Sequence, residues 1–246
     1  MKKGVLLCCH GTRSIKGTYD TKKILTFFKQ KNKNYITKIS YLEIRKPSIE
    51  DQLKFFLKRK FESLLIIPVM IFPGNHVTKD IPKILISVKK NYKYLPKITI
   101  TKPLIYSKYF FSTVQKKIEK KIKLINKEDK NCIITVASNT VNLKAKSNIK
   151  SLTKKIYKQN NFNFFESILI TLDKNKLKDK LENLNQGFDK FMILPIFLFR
   201  GKLLENLKSV VIELNRKYNN KFILCSHIND NKEIYKLISN LNKNIT

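Results

Sequence analysis

The stretch LLIIPVMIFPGNHVTKDIP, Leu64 to Pro82, decides the fold. Its first part, Leu64–Phe72, is an apolar run rich in Leu, Ile and Val that lacks the alternation of a half-solvated strand. It therefore reads as a central parallel strand covered on both faces. Ligands of such sheets gather at the carboxyl ends of the strands, where Pro73, Gly74, Asn75 and His76 fall, with His76 brought beside Asp80. Pro82 suits the first turn of the next helix, predicted over Ile81–Asn91.

Upstream, Gly4–Cys9 is a short apolar strand, followed by a loop His10–Thr18 in which Gly11 and Gly17 act as breakers. Thr21–Lys31 places Ile24, Leu25 and Phe28 on one helical face, and Ile36–Leu42 is a second strand ending at Glu43. Pro47 stops its extension, Ser48 with Asp51 forms a capping-box pattern, and Ile49, Leu53, Phe56 and Leu57 make the buried stripe of a second helix. Downstream, Lys97–Thr101 is a fourth strand, and Lys108–Ile125 is a long helix with Phe110, Val114, Ile118, Ile122 and Ile125 along one side.

After the polar segment Asn126–Asn131 the pattern starts again. Cys132–Val136, Phe164–Leu172, Phe191–Phe199 and Phe222–Cys225 read as strands, and Asn148–Tyr157 (capped by Ser147), Asn175–Leu184 and Lys232–Leu241 as helices. FMILPIFLFRGKLLENL aligns with LLIIPVMIFPGNHVTKDI, Pro195 falling on Pro68, Phe199 on Phe72 and Gly201 on Gly74. The same offset of 127 residues (195 against 68), with no gap, lays Ile133-Ile134 on Leu6-Leu7, which marks an internal duplication. The predicted fold is α/β. It has two similar lobes, 1–126 and 131–246, each a four-stranded parallel sheet flanked by helices, with the flavodoxin-like strand order as the working arrangement.

A chain of 246 residues has room for two such domains, and 42% hydrophobic content suits a globular protein. The net charge of +33 raises the possibility of a nucleic-acid binder. Against it, the charge is nearly all Lys, spread evenly, with Arg only at positions 13, 45, 59, 200 and 216. Readers of phosphate and bases lean on Arg for bidentate contacts, so the pattern reads as a solvated Lys surface that also attracts small polyanions, and no specific nucleic-acid partner is expected. The apolar run Val5–Cys9 is broken at once by His10–Arg13, and no stretch is long and apolar enough for a membrane span, so a cytoplasmic location is expected. Cys8, Cys9, Cys132 and Cys225 show no C-x-x-C spacing and read as small hydrophobes in strands.

Three residues with ligand chemistry fall at strand ends: His10, Glu43 and His76, at equal intervals of 33 residues (10 to 43, 43 to 76). A βα unit takes about 30 residues, so each caps a successive strand at the same sheet edge. With the first strand between the second and third, their side chains converge. Two imidazoles and a carboxylate suit a divalent transition metal with positions left open. Under the offset of 127, His10 falls on Ala137, Glu43 on Ile170 and His76 on Leu203, so the second copy lacks the set and one active centre is expected. His227, after the last strand, reads as a loop histidine.

CHGTR at 9–13, YLEIRKPSI at 41–49 and PGNHVTKDIP at 73–82 resemble the signature segments of the sirohydrochlorin chelatases, the cobalt- and iron-inserting class II chelatases. The second half, in LPIFLFRG at 194–201, is similar to the degenerate repeat of the longer two-lobed members. The resemblance implies insertion of Co²⁺ or Fe²⁺ into sirohydrochlorin in a cleft between the lobes, without ATP and with no permanently bound cofactor. Cobalt is preferred, because two-lobed relatives are associated with cobalamin synthesis. It implies that His10 and His76 bind the metal and that Glu43 is a further ligand or base. Because the substrate is a polycarboxylate, Arg13, Arg45, Lys46 and Lys79, beside the motifs, and Arg200, which aligns with Pro73, become candidates to hold its acid groups. Met70, Ile71 and Phe72 either floor the macrocycle or pack in the core. The partners expected are sirohydrochlorin and a divalent ion, with the protein a monomer or weak homodimer. A non-catalytic metal or tetrapyrrole carrier and a metallohydrolase using bound hydroxide use the same ligands and stand as competing readings.

Overall fold

The computed structural model of the chain describes residues 2–126, 128–185, 187–229 and 232–244. Lys127, within the polar segment between the expected lobes, and Thr246, the expected end of the second lobe, lie outside them. The first sheet contains β1 (Lys3–Cys9), β2 (Tyr35–Tyr41), β3 (Ser63–Pro68) and β4 (Lys97–Ile100), in the order β2-β1-β3-β4. All pairings are parallel, so the flavodoxin-like arrangement is the one found. The second sheet repeats it with β5 (Asn131–Ser138), β6 (Phe164–Ile170), β7 (Lys190–Pro195) and β8 (Phe222–Leu224), in the order β6-β5-β7-β8.

The helices are α1 (Ile15–Lys31), α2 (Ile49–Lys58), α3 (Ile81–Lys89), α4 (Phe110–Ile122), α5 (Leu143–Gln159), α6 (Lys174–Asn183), α7 (Lys202–Lys217) and α8 (Lys232–Ser239). The capping box of α2 forms as the sequence indicates, Ser48 accepting from the Asp51 backbone and Asp51 from the Ser48 backbone. Helix α7 had no counterpart among the elements read from the sequence.

Four boundaries differ from the expectations by four residues or more. Helix α1 begins at Ile15, not Thr21, because Ser14 caps it by accepting from the Gly17 N–H, and Gly17 is buried inside the helix instead of breaking it. Asn142 does the same for α5, accepting from the Ala145 N–H, so Ser147 lies within that helix. Both starts were hidden because their first apolar residues, Ile15 (83% exposed) and Leu143 (79%), do not belong to the buried stripe. Strands β3 and β7 end at Pro68 and Pro195, where the apolar runs suggested Phe72 and Phe199; one further bond to the central strand follows each proline, from the Val69 N–H to the Cys8 carbonyl and from the Ile196 N–H to the Val136 carbonyl.

The pairing registers also correct the alignment of the two halves. Pro68 faces Cys8, whereas Pro195 faces Val136, and Cys9 faces Tyr41 where Ala137 faces Leu169. The third strands therefore match at an offset of 127, but the first and second strands match at 128 (136 against 8, 169 against 41). The duplication holds with one residue of slippage, which moves the counterparts of His10 and Glu43 to Ser138 and Thr171, and leaves Leu203 as that of His76.

The chain forms two compact units, Met1–Phe110 with Asn231–Thr246, and Phe111–Asp230. They differ from the halves 1–126 and 131–246 in their last helices. Within the first unit α8 packs on α1, where Asn32 Nδ2 donates to the Ser239 carbonyl at 3.3 Å and the Phe27 and Tyr235 rings lie 5.7 Å apart. Within the second unit α4 lies beside α5, the Gln115 and Asn160 amides exchanging hydrogen bonds of 2.7 and 3.1 Å. Among the described residues no helix is long and apolar enough to cross a membrane.

One face of the first sheet buries Leu6, Cys8, Leu64 and Ile66 against Leu53, Phe56 and Leu57 of α2 and Ile81 and Leu85 of α3. The packing leaves no room at Gly4, where an added Cβ would stand 2.7 and 2.8 Å from two carbons of the Phe56 ring. Gly4→Ala is expected to cost about 1–3 kcal/mol by overpacking, read as a lower urea midpoint with an unchanged slope.

Candidate functional site

Backbone ladders carry the three candidate residues to one place. Beyond β1 and β2 the pairing continues, the Leu42 N–H donating to the Cys9 carbonyl at 2.9 Å and the Glu43 N–H to the His10 carbonyl at 3.1 Å. On the other side the Val69 N–H donates to the Cys8 carbonyl at 2.8 Å. His10 and Glu43 are thus held on adjacent chains, and β3 delivers its own continuation next to them.

His76 opens a π-helical turn, His76–Asp80, closed by the Ile81 N–H donating to the His76 carbonyl and leading directly into α3. Its cause is Pro82, which cannot donate to Thr78 and whose ring crowds the carbonyl four residues back. A widened turn relieves both problems, and such turns recur at functional sites. Within it the His76 Nδ1–H donates to Asp80 Oδ2 at 2.7 Å. The carboxylate therefore fixes the ring and leaves Nε2 with a free lone pair.

The rings of His10 and His76 meet edge to face, with centroids 4.6 Å apart and planes at 82°. His10 Nε2 lies 3.2 Å from Glu43 Oε1, and its Nδ1 lies 3.3 Å from the Gly11 carbonyl. All four side chains of the row Glu43, His10, His76 and Asp80 are between 38% and 50% exposed, so solvent and ligands reach them. Glu43 faces His10 instead of a shared point, and among the described residues no three His, Cys, Asp or Glu side chains are already set as a metal cage. The sequence thus identified three members of the row. It missed the role of Asp80, although its place four residues after His76, ahead of a proline, was the available signal.

Two left-handed backbone positions hold this arrangement. Gly11, at φ +102°, lies so close to Glu43 that a Cβ there would stand 1.9 Å from the Glu43 carbonyl oxygen. Ile44, at φ +67°, is the centre of a tight turn in which the Arg45 N–H donates to the Glu43 carbonyl at 2.7 Å. This left-handed γ-turn is rare and strained, at a cost of about 1–3 kcal/mol.

The basic candidates separate. Arg45 turns its guanidinium to the loop, donating from Nε to the Thr12 carbonyl at 2.8 Å and from Nη2 to the Arg13 carbonyl at 3.1 Å, and so ties the loops that carry His10 and Glu43 together. Arg13 and Lys79 are exposed, and Lys46 is exposed with Asp51 at 3.8 Å. Arg200 is half-buried in the second unit, just before α7, and His227 lies in the same unit after β8. Met70 packs against the core cluster of the first unit and Ile71 is buried, so packing accounts for both; Phe72 is half-buried. All four cysteines are buried and free. Burial pushes the thiols of Cys8, Cys132 and Cys225 up to about 12 and that of Cys9 well upward, as befits small apolar groups packed within the sheets.

In the second unit the β5–α5 turn is copied closely. The Ser14 N–H donates to Thr12 Oγ1 in the first copy, and the Asn142 N–H to Thr140 Oγ1 in the second. At the matching sheet edge lies a cavity of about 400 Å³ lined in part by Asn139, Thr171, Asp173 and Lys176, with no imidazole.

Two doubly wound parallel sheets, one carrying an imidazole and carboxylate cluster over its first three strands, define the chelatase-like class of α/β fold. The description of the CbiX family matches residues 4–121 and again 133–244, so the chain belongs to that family, with its domain present twice. Among curated relatives, a sirohydrochlorin cobaltochelatase of Priestia megaterium is 20% identical over 220 residues, covering 89% of this chain and 71% of that protein. A sirohydrochlorin ferrochelatase of the same organism is 20% identical over 233 residues, covering 91% and 83%. Among solved structures, the sirohydrochlorin chelatase SirB of Bacillus subtilis subspecies spizizenii in complex with cobalt superposes with a TM-score of 0.79 at 17% identity, over 99% of this chain and 97% of that one. SirB from Bacillus subtilis with Fe³⁺ gives 0.81 at 20% identity, over 99% and 95%. At these identities the structural likeness speaks for the fold.

The Asp80 contact has a direct spectroscopic consequence. Long-range ¹H–¹⁵N spectra of the neutral ring are expected to show His76 as the Nδ1–H tautomer, and Asp80→Ala to shift it toward the Nε2–H form with no change in melting temperature beyond a few degrees.

Proposed function

We propose that the chain is a sirohydrochlorin chelatase, an enzyme that inserts Co²⁺ into sirohydrochlorin without ATP. The observation that carries this reading is the row Glu43, His10, His76 and Asp80, two imidazoles 4.6 Å apart between two carboxylates at one open sheet edge. Membership of the CbiX family supports it, as do relatives named for this reaction. The relatives carry both cobalt and iron names, so ferrochelatase activity for siroheme is the second reading.

The residues suit the chemistry. Insertion needs a divalent ion to shed water and two pyrrole N–H protons to leave. His76, locked by Asp80, offers its Nε2 lone pair to the incoming ion. His10 Nε2 faces Glu43, so that carboxylate is placed beside the imidazole to serve as a further ligand to the ion or as a second base for a pyrrole N–H proton. Arg13, Lys46 and Lys79 are proposed to hold the acid groups of the substrate. Arg45 acts on the substrate only through the loops it ties. Ser138, Thr171 and Leu203 at the matching positions supply no second imidazole set, so one active centre is proposed.

Purified protein mixed anaerobically with sirohydrochlorin and Co²⁺ or Fe²⁺ is expected to shift the absorption bands faster than the spontaneous reaction, over many turnovers. The faster ion identifies the metal. No acceleration with either ion overturns the proposal, and binding limited to one equivalent without turnover identifies a carrier instead. His76→Ala is expected to lower the rate by about 10²–10⁴-fold, while the circular dichroism spectrum and melting temperature stay those of the parent, because a half-exposed loop side chain carries little of the core.

A further inference from the structure

We propose that Ile44 is a substrate-contacting residue, an aliphatic side chain presented beside the metal-handling row so that the apolar face of the tetrapyrrole lies against it. The proposal rests on the reading of that row given above and adds a residue that sets affinity for the macrocycle and not for the ion.

Three observations on one residue lead there. The first is conformational. Among the described residues five non-glycine side chains have positive φ: Ile44, Lys60, Asn161, Asn219 and Asn220. The other four follow the ends of α2, α5 and α7, where left-handed residues commonly terminate helices, and three of them are asparagines, which tolerate that region. Ile44 alone is β-branched and ends no helix, which makes it the genuine outlier. Glycine or asparagine would make the same turn with less strain, so the turn itself does not call for isoleucine.

The second observation is that the core does not call for it either. Ile44 is 54% exposed, and it is absent from the buried cluster that fills the first unit. A strained, exposed β-branched residue has its use in what its side chain presents to the outside.

The third observation is position. Ile44 follows Glu43 directly, and a Cβ built on Gly11, the residue after His10, would stand 3.7 Å from the Ile44 Cβ. The aliphatic group is thereby fixed next to both Glu43 and His10. Arg45 holds it there through the Thr12 and Arg13 carbonyls, so the side chain is preorganised instead of swinging on a free loop. A ring that receives an ion from His10 and His76 must present a face to them, and that face is the apolar part of a tetrapyrrole whose acid groups lie at its periphery. Ile44 is the exposed apolar group placed to meet it, while the exposed Arg13, Lys46 and Lys79 are suited to the periphery.

Binding of metal-free sirohydrochlorin by the full chain, followed by absorbance and fluorescence, tests this with Ile44→Gly, Ile44→Asn and Ile44→Leu, alongside Co²⁺ binding by calorimetry. Ile44→Leu is expected to stay within about twofold of the parent, whereas Ile44→Gly and Ile44→Asn weaken sirohydrochlorin binding about tenfold, the scale of one aliphatic side chain withdrawn from an apolar contact. Co²⁺ affinity is expected to be unchanged in all three. Parental sirohydrochlorin affinity in Ile44→Gly overturns the proposal and leaves the chelatase reading in place. A parent chain that binds no sirohydrochlorin overturns both. Should Ile44→Gly lose its melting transition, the comparison of Leu with Asn decides, and equal affinities of those two overturn the proposal.

Discussion

The carboxyl end of β1 is the constraint on which the rest depends. The carbonyls of Cys8 and Cys9 are taken by the continuations of two different strands, Val69 on one side and Leu42 on the other. A parallel strand between two neighbours must share its edge in this way, because successive carbonyls point to opposite sides. Whatever follows the three strands is therefore placed within a few ångströms of the same spot. His10 and Glu43 are positioned by the ladder itself, and His76 only needs a turn that brings the chain back over the edge.

Bringing those side chains together works against the backbone, and the opposition is concentrated in short segments. Gly11 leaves no room for a side chain, Ile44 sits in a left-handed γ-turn, and Pro82 forces a π-turn ahead of α3. The stability comes from elsewhere: the cores of the two units, the capping box of α2, and the Arg45 fork on the loop carbonyls. Strain at the edge and regularity beneath it are compatible because the edge is solvated and the sheet is not. Asp80 has a different part, fixing the orientation and tautomer of the His76 ring.

The two copies show which parts of the fold are independent of function. The strand order is kept, and so is the hydroxyl-capped turn that starts α1 and α5. What differs is the set of side chains at the edge, where Ser138, Thr171 and Leu203 stand in place of His10, Glu43 and His76. The one-residue slippage between the first two strands and the third is harmless to the second sheet, since the connecting loops absorb it at the surface. At a site whose ligands must converge, the same slippage would misplace the group it carries.

The sequence by itself determined the sheets and the sheet edge at which His10, Glu43 and His76 lie. Unbroken apolar runs such as Leu64–Ile67 admit only a strand buried on both faces, helices between strands require parallel pairing, and the equal spacing of His10, Glu43 and His76 is a count of βα units. Those signals are local or periodic, and a single chain carries them in full. It left open what depends on atoms brought in from elsewhere. The starts of α1 and α5 depend on side-chain caps, Arg45 is committed to carbonyls more than thirty residues away, and the π-turn depends on where Pro82 meets the helix. Which sheet an amphipathic helix covers is likewise undecided by its own stripe, and only packing places α4 in the second unit and α8 in the first. The sequence put His76 beside Asp80, but only tertiary structure turned that neighbourhood into a Nδ1–Oδ2 hydrogen bond and set His10 Nε2 against Glu43, because such contacts are fixed by distance and angle, and neither is written in the order of residues.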